Sequence, residues 1–262
     1  MRKIYEQKER KDLLKEYNFI NNLQDVTDKE TLLQMLRAEK DRLLAEIEMM
    51  EEREREECGG EYDLSRILVP VIYEDERILL RRPESVDREP FLHVKRQYAF
   101  SKAMFQRESY QDDLWEEQIS EGSLYYSIIG RKNGHYIGYC GVKNLKKKVW
   151  EIAIELDGKY CHQGYGFLAP GKYLENLSEL SGRREFASRV ETDNIASQKL
   201  MEELGFQPYG LAEFLLYSEE DKRETEEEYL HLLDERYEKL AGKFHVEPRK
   251  LLSHVLEYRL CK

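Results

Sequence analysis

Val149-Trp150-Glu151-Ile152-Ala153-Ile154-Glu155-Leu156 reads as a strand, and Asp157-Gly158-Lys159-Tyr160-Cys161 turns the chain into His162-Gln163-Gly164-Tyr165-Gly166 and a helix. A second strand-to-helix unit follows. It runs Phe186-Ala187-Ser188-Arg189-Val190-Glu191, then Thr192-Asp193-Asn194-Ile195-Ala196-Ser197, then a helix from Gln198 to Gly205-Phe206. Two glycines one residue apart, between a strand and a helix N-terminus, let backbone N–H groups surround an anion. The loop lacks the Lys-Ser/Thr ending of a nucleotide P-loop and is not the full GxGxxG of a dinucleotide fold. Spacing alone therefore leaves the anion unnamed.

Outward from this stretch the pattern is mixed. Upstream, Leu68–Tyr73 and Arg77–Arg82 alternate as strands, the first pushed towards a sheet edge by Pro70. Residues 86–121 read as two helices with Phe91, Val94, Tyr98, Phe105, Leu114, Trp115 and Ile119 at apolar positions. Leu124–Ile129 and Tyr136–Val142 form a hairpin around Asn133-Gly134. Lys146-Lys147-Lys148 marks a solvated turn before the opening strand. Downstream, Phe214–Tyr217 is expected as a strand, residues 219–242 as one charged helix, and Val255–Leu260 as the closing strand. The fold class is α+β: a mixed, mostly antiparallel sheet of about seven strands flanked by helices.

Residues 1–60 differ in kind and read as a helical extension, leaving 61–262 as a globular domain with a helical insertion at 219–250. Leu33, Leu36, Lys40, Leu43, Ile47 and Met50 recur at spacings of three and four, a seam of about three heptads. Gly59-Gly60 stops the helix. A hairpin of this kind either pairs subunits as a homodimer or partner interface, or packs against its own globular body. Both remain open.

The 262 residues carry a formal charge of −11, with 36% charged residues. That balance argues against a nucleic-acid binder, which needs a basic face, and leans towards a cationic ligand. Cys58, Cys140, Cys161 and Cys261 lack CxxC spacing, as expected of free thiols in a reducing cytoplasm. No apolar run is long enough for a membrane span, and the charged start is not a signal peptide. The histidines show no metal-ligand spacing, so no metal is expected.

The order strand, GxG, helix, strand, Asn-x-x-Ser helix, Gly-Phe resembles the GNAT N-acetyltransferase superfamily, especially its RimJ/RimL-type branch. Trp150–Leu156 is similar to that branch's (A/W)-E-(I/L)-G-aromatic strand, with Gly164-Tyr165-Gly166 at the expected distance. Val190 to Phe206 looks like V-x-x-x-N-x-x-S-x-x-(V/L)-x-x-x-L-G-F, and Glu76–Arg81 is similar to the E-R-L-x-L-R first strand. The resemblance spans roughly Glu76 to Lys262.

It implies an acetyl-CoA-dependent N-acetyltransferase that transfers acetyl directly to a primary amine, either a protein N-terminus or a small cationic amine. The loop, Cys161, His162, Gln163, Gly164, Tyr165 and Gly166, is then the pyrophosphate cradle. Leu156 and its strand face the pantetheine arm, and Asn194 orients that arm or serves as a helix cap. Glu151 is the expected proton acceptor for the amine, with Glu155 on the same strand face. Many family members carry a proton-donating tyrosine where Met201 stands here, whereas the RimJ/RimL-type branch uses the Ser of N-x-x-S, so the resemblance implies Ser197 as proton donor to the thiolate. Cys161, Ala153 and Pro170-Gly171 depart from the family pattern, and the proline is expected to interrupt the helix after the loop. These departures keep an alternative alive: a catalytically weak acyl-CoA-binding module acting through its helical arm.

Overall fold

The computed structural model describes residues 66–99, 102–213 and 218–262, and Met35 alone. The seam at 1–57, Cys58 and the strand expected at 214–217 lie outside the described residues.

The chain begins with β1 (Val71–Glu74) and β2 (Ile78–Arg81), followed by helices α1 (Arg88–Tyr98) and α2 (Glu108–Ile119). The hairpin β3 (Leu124–Gly130) and β4 (Tyr136–Val142) comes next, then β5 (Trp150–Leu156), α3 (Tyr165–Ser181), β6 (Glu185–Val190) and α4 (Ile195–Glu203). The last elements are β7 (Gln207–Ala212), α5 (Glu219–Glu228), α6 (Glu235–Phe244) and β8 (Val255–Cys261). Eight strands form one sheet in the order β1-β2-β3-β4-β5-β6-β8-β7, one more than expected. Every pairing is antiparallel except β5 with β6. Pro70 precedes β1 at the sheet edge, where its missing N–H breaks no ladder, and its carbonyl accepts from Arg82 N at 2.8 Å. Gly134 turns the β3–β4 hairpin with φ of 67°, the left-handed conformation that an Asn-Gly turn uses.

Strand alternation sends side chains to two cores. On one face Trp150, Ile152 and Leu156 pack with Tyr173, Leu174 and Leu177 of α3. On the other face Tyr125, Tyr139 and Ala153 pack with Phe91, Leu92 and Val94 of α1 and with Phe105. Of the apolar positions expected in the first two helices, Tyr98 and Ile119 remain exposed.

Two expectations are corrected. The helix after the loop is not interrupted: α3 runs continuously through Pro170, which is buried beside Ala169. The proline removes one internal hydrogen bond, the one Gly166 C=O would accept, and packing of Tyr173, Leu174 and Leu177 maintains the rest. The charged stretch 219–242 is two helices. Tyr229 C-caps the first, and Asp234 N-caps the second, its Oδ1 accepting from Arg236 N at 2.9 Å and Tyr237 N at 3.1 Å. A strand the sequence pattern did not mark, Gln207–Ala212, pairs with the edge of β8 opposite β6, and its Pro208 and Gly210 weaken the strand signal.

The α5–α6 insertion is fastened to the domain through buried Glu226. Its carboxylate takes Arg249 Nε at 2.8 Å, Lys250 Nζ at 2.9 Å and Ser253 Oγ at 2.7 Å. Burial opposes that charge, and the Ser253 and Lys250 hydrogen bonds outweigh it, holding the carboxyl below its ordinary value. No helix among the described residues is long and apolar enough to cross a membrane.

Candidate active site

The site begins where β5 and β6 part. Glu151 C=O accepts from Lys143 N at 3.2 Å and Asp157 N donates to Ile137 O at 2.8 Å, so odd-numbered residues of β5 turn their backbone groups to β4. The even-numbered residues face the opposite edge. There β6 pairs with β5 only at Trp150↔Phe186 and Glu151↔Ala187. Beyond that point Ile154 and Leu156 present backbone groups to an opening between the two strands. The Leu156 carbonyl is met by the Tyr98 hydroxyl at 2.8 Å.

The 157–164 turn closes the end of this opening. Asp157 Oδ1 accepts from Lys159 N at 3.2 Å, and Cys161 N donates to Gly158 O at 3.2 Å. His162 and Gly164 have φ of 59° and 82°, so the loop passes twice through the left-handed region. Glycine adopts that conformation without the steric cost that His162 incurs. Gly164 is the N-cap of α3, and no side chain caps it. Leu168 N is answered by Gly164 O at 3.0 Å, while the N–H groups of Tyr165, Gly166 and Phe167 precede any internal acceptor. They form a donor set suited to a diphosphate. A Cβ at Gly166 would lie 3.6 Å from Leu156 Cδ1 and 3.9 Å from Leu200 Cδ2, so the fold itself tolerates a side chain there.

Neighbouring turns brace the loop. Arg77, at the β1–β2 turn, donates from Nη2 to Gln163 O at 3.0 Å and stacks 5.3 Å from the Tyr165 ring centroid. Gln163 Nε2 donates to Lys159 O at 2.7 Å, and Tyr160 OH meets His135 Nδ1 at 3.0 Å. Cys161 is half-buried beside the Tyr98 phenol. Burial first, then proximity to Cys161, pushes that phenol up to about 12.

Asn194 and Ser197 open α4. Asn194 Oδ1 accepts from Ser197 N at 3.0 Å, a helix cap, which leaves its Nδ2 donors unused among the described residues. The Ser197 hydroxyl makes no hydrogen bond among the described residues and is half-buried.

Glu151 is buried at the parting point, with Lys143 Nζ at 2.5 Å and Arg189 Nε at 3.5 Å. Burial would raise its carboxyl, but those two positive charges outweigh it and hold the group below its ordinary range. It is a committed carboxylate. Glu155, on the same face, meets Lys95 Nζ at 3.1 Å. No cluster of three or more His, Cys, Asp or Glu residues among those described is placed to hold a metal.

Of the residues anticipated from sequence, Glu151 stands where the β5–β6 pairing ends, Leu156 lies farther along the unpaired edge, Cys161 to Gly166 lead into α3, and Asn194 and Ser197 open α4. Sequence reasoning passed over Arg77 and the α1 residues Lys95, Gln97 and Tyr98. They come from segments 58 or more residues away; Tyr98 carried a signal as an aromatic at an apolar helix position, and Arg77 as part of the Glu76–Arg81 motif.

The acetyltransferase (GNAT) domain model matches residues 77–207, half of the chain. A GNAT-family protein from Bordetella pertussis superposes with a TM-score of 0.50 at 15% identity, covering 73% of this chain and 99% of its own. The ribosomal-protein-S5-alanine acetyltransferase of Vibrio fischeri gives 0.49 at 15% identity, covering 72% of this chain and 95% of its own. At such identities the Bordetella likeness speaks to the fold. A search of curated proteins returned no match. The residues matched by the domain model contain the strand, the loop and the Asn194 helix described above, and the chain belongs to the GNAT acetyltransferases.

Proposed function

We propose that the protein transfers acetyl from acetyl-CoA directly to a primary amine. The observation that carries this reading is the uncapped N-terminus of α3 at Gly164, set at the end of the β5–β6 opening. The N–H groups of Tyr165, Gly166 and Phe167 would hold the pyrophosphate, with Cys161, His162 and Gln163 shaping the approach. The backbone of Ile154 and Leu156 would lie along the pantetheine arm, and the spare Asn194 amide donors would orient it. Bound acetyl-CoA would supply an electrophilic thioester carbonyl.

The attacking amine must be neutral, so the site needs a carboxylate to draw off its proton. We assign that role to Glu151, acting through water, because its carboxyl stays ionised. We assign Ser197 Oγ to deliver a proton to the leaving sulfur, since its hydroxyl is not engaged elsewhere among the described residues. An acyl-Cys161 route is disfavoured. The neighbour of that thiol is a phenol that holds its own proton to about 12, which does not generate a thiolate.

Release of free thiol from acetyl-CoA over a panel of diamines, amino sugars and peptides with free N-termini tests the proposal. CoA binding without amine-dependent thiol release would favour a binding module instead. Ser197→Ala is expected to lower kcat roughly tenfold, below the usual range for proton transfer because a thiolate leaves readily, with the KM for acetyl-CoA unchanged. An unaltered kcat would remove Ser197 from the mechanism. For residues 1–57 we retain the interface role. Solution masses showing the full chain and a chain starting at Glu61 each to be a monomer would end it.

A further inference from the structure

Glu155 stands two residues beyond Ala153 on the α1 side of β5, and its cross-strand partner in register is Tyr139. Lys95 of α1 reaches down to this pair. Its ammonium lies 3.1 Å from Glu155 Oε1 and 5.4 Å from the centroid of the Tyr139 ring. A carboxylate on one side and an aromatic face on the other is a recognition site for an alkylammonium. The chain supplies that ammonium itself.

Two features set this apart from an ordinary surface pair. The Lys95 and Glu155 side chains are only 25% and 26% exposed, and Tyr139 is buried. The second carboxylate oxygen, Glu155 Oε2, is buried with no hydrogen-bond partner among the described residues. The Tyr139 phenol is raised well above its ordinary range, first by burial and then by the Glu155 charge beside it. A buried acceptor left unanswered is costly, and one ammonium with three N–H donors could serve both oxygens if it sat more centrally than Lys95 does.

The location matters as much. Glu155 lies between Ile154 and Leu156, the residues whose backbone edges the opening beyond the β5–β6 pairing. Tyr98, one helical turn from Lys95, reaches that same edge at the Leu156 carbonyl. Any group held at Glu155 therefore lies beside that edge, four residues along β5 from Glu151, or about 13 Å at the rise of a strand.

We propose that Glu155 and Tyr139 form an ammonium subsite for the acceptor, which Lys95 fills as an internal stand-in and a cationic acceptor displaces. This rests on the N-acetyltransferase reading above. Because the attacking amine must be neutral, the ammonium bound here is a second one, and the acceptor class is a diamine or polyamine. One nitrogen anchors at Glu155 while the other enters the opening.

The two partners of this ion pair make opposite predictions. Lys95→Met leaves Glu155 open to an external cation, whereas Glu155→Gln removes its attraction. Spermidine is titrated calorimetrically into the full chain saturated with CoA, as wild type and as each variant. Lys95→Met is expected to bind about tenfold more tightly and Glu155→Gln about tenfold more weakly, each equivalent to about 1.4 kcal/mol. A pair that merely braces α1 against β5 would move both variants the same way. A shift of one sign in both, no shift in either, or no spermidine binding to Lys95→Met overturns the proposal. Thiol release from acetyl-CoA is scored separately in the same proteins. Its failure with every amine would count against transfer, while the calorimetric comparison would still decide the subsite.

Discussion

Replacing Glu151 by glutamine is expected to lower both the stability of the domain and the rate of transfer. Glu151 ties Lys143, just beyond β4, and Arg189 of β6 to β5, at the point where the sheet changes from antiparallel to parallel. Breaking a fully enclosed ion pair costs roughly 3–5 kcal/mol because the remaining charge is stranded. Here Lys143 keeps 41% of its side chain in solvent and Arg189 27%, so about 2 kcal/mol is expected. The sign of the pH dependence follows from the lowered carboxyl. Its contribution is fully present above the ordinary glutamate value of 4.5 and is lost as pH falls through the folded-state value. Urea unfolding from about pH 7 to about pH 3 should show a smaller acid loss in the variant than in the wild type. As the proposed proton acceptor, Glu151 should also contribute about a hundredfold to kcat/KM. A fall in rate no greater than the loss of folded protein would leave it a bracing residue only.

Gly138→Ala is the second large effect. Gly138 lies on β4 opposite Leu156, and a Cβ there would stand 2.2 Å from Glu155 O and 2.8 Å from Leu156 Cα. These are backbone atoms, so no rotamer change relieves the contact and β5 itself must move. Overpacking of this kind costs about 3 kcal/mol, which for a domain of this size is a Tm lower by roughly 6–12 °C. The displaced segment carries Glu155 and the Leu156 carbonyl, so affinity for the cosubstrate should fall together with Tm. A thermal melt within 2 °C of wild type, taking ~2 °C as the resolution of the scan, would contradict the packing of β4 on β5.

The sequence made the cofactor side legible and the acceptor side largely opaque, for a physical reason. Loop and caps are local: Gly164 and Asn194 act on backbone within a few residues, so their spacing carries the information. Lys95 and Tyr98 meet β5 across long separations, and nothing in a helix pattern records which strand it will cover. Pro170 misled because helix propensity weighs one lost hydrogen bond without the buried face of Tyr173, Leu174 and Leu177 that offsets it. At Gln207–Ala212 proline and glycine suppress the strand signal, yet β8 supplies a partner along its length. The break between α5 and α6 was visible only as Asp234, a cap within a charged run.

The joint between β5 and β6 has a thermodynamic consequence. Two residue pairs join a five-stranded plate, β1 to β5, to a three-stranded plate, β6, β8 and β7. A molecule lying in the wedge beyond that joint touches both plates, and its binding energy also opposes their separation. Mass action then adds about 2.7 kcal/mol to unfolding at a ligand concentration one hundred times Kd, read as a Tm that climbs with added CoA. Inside a cell the survival of the folded enzyme would track the supply of its own acyl donor, coupling protein lifetime to metabolic state without any separate regulatory site.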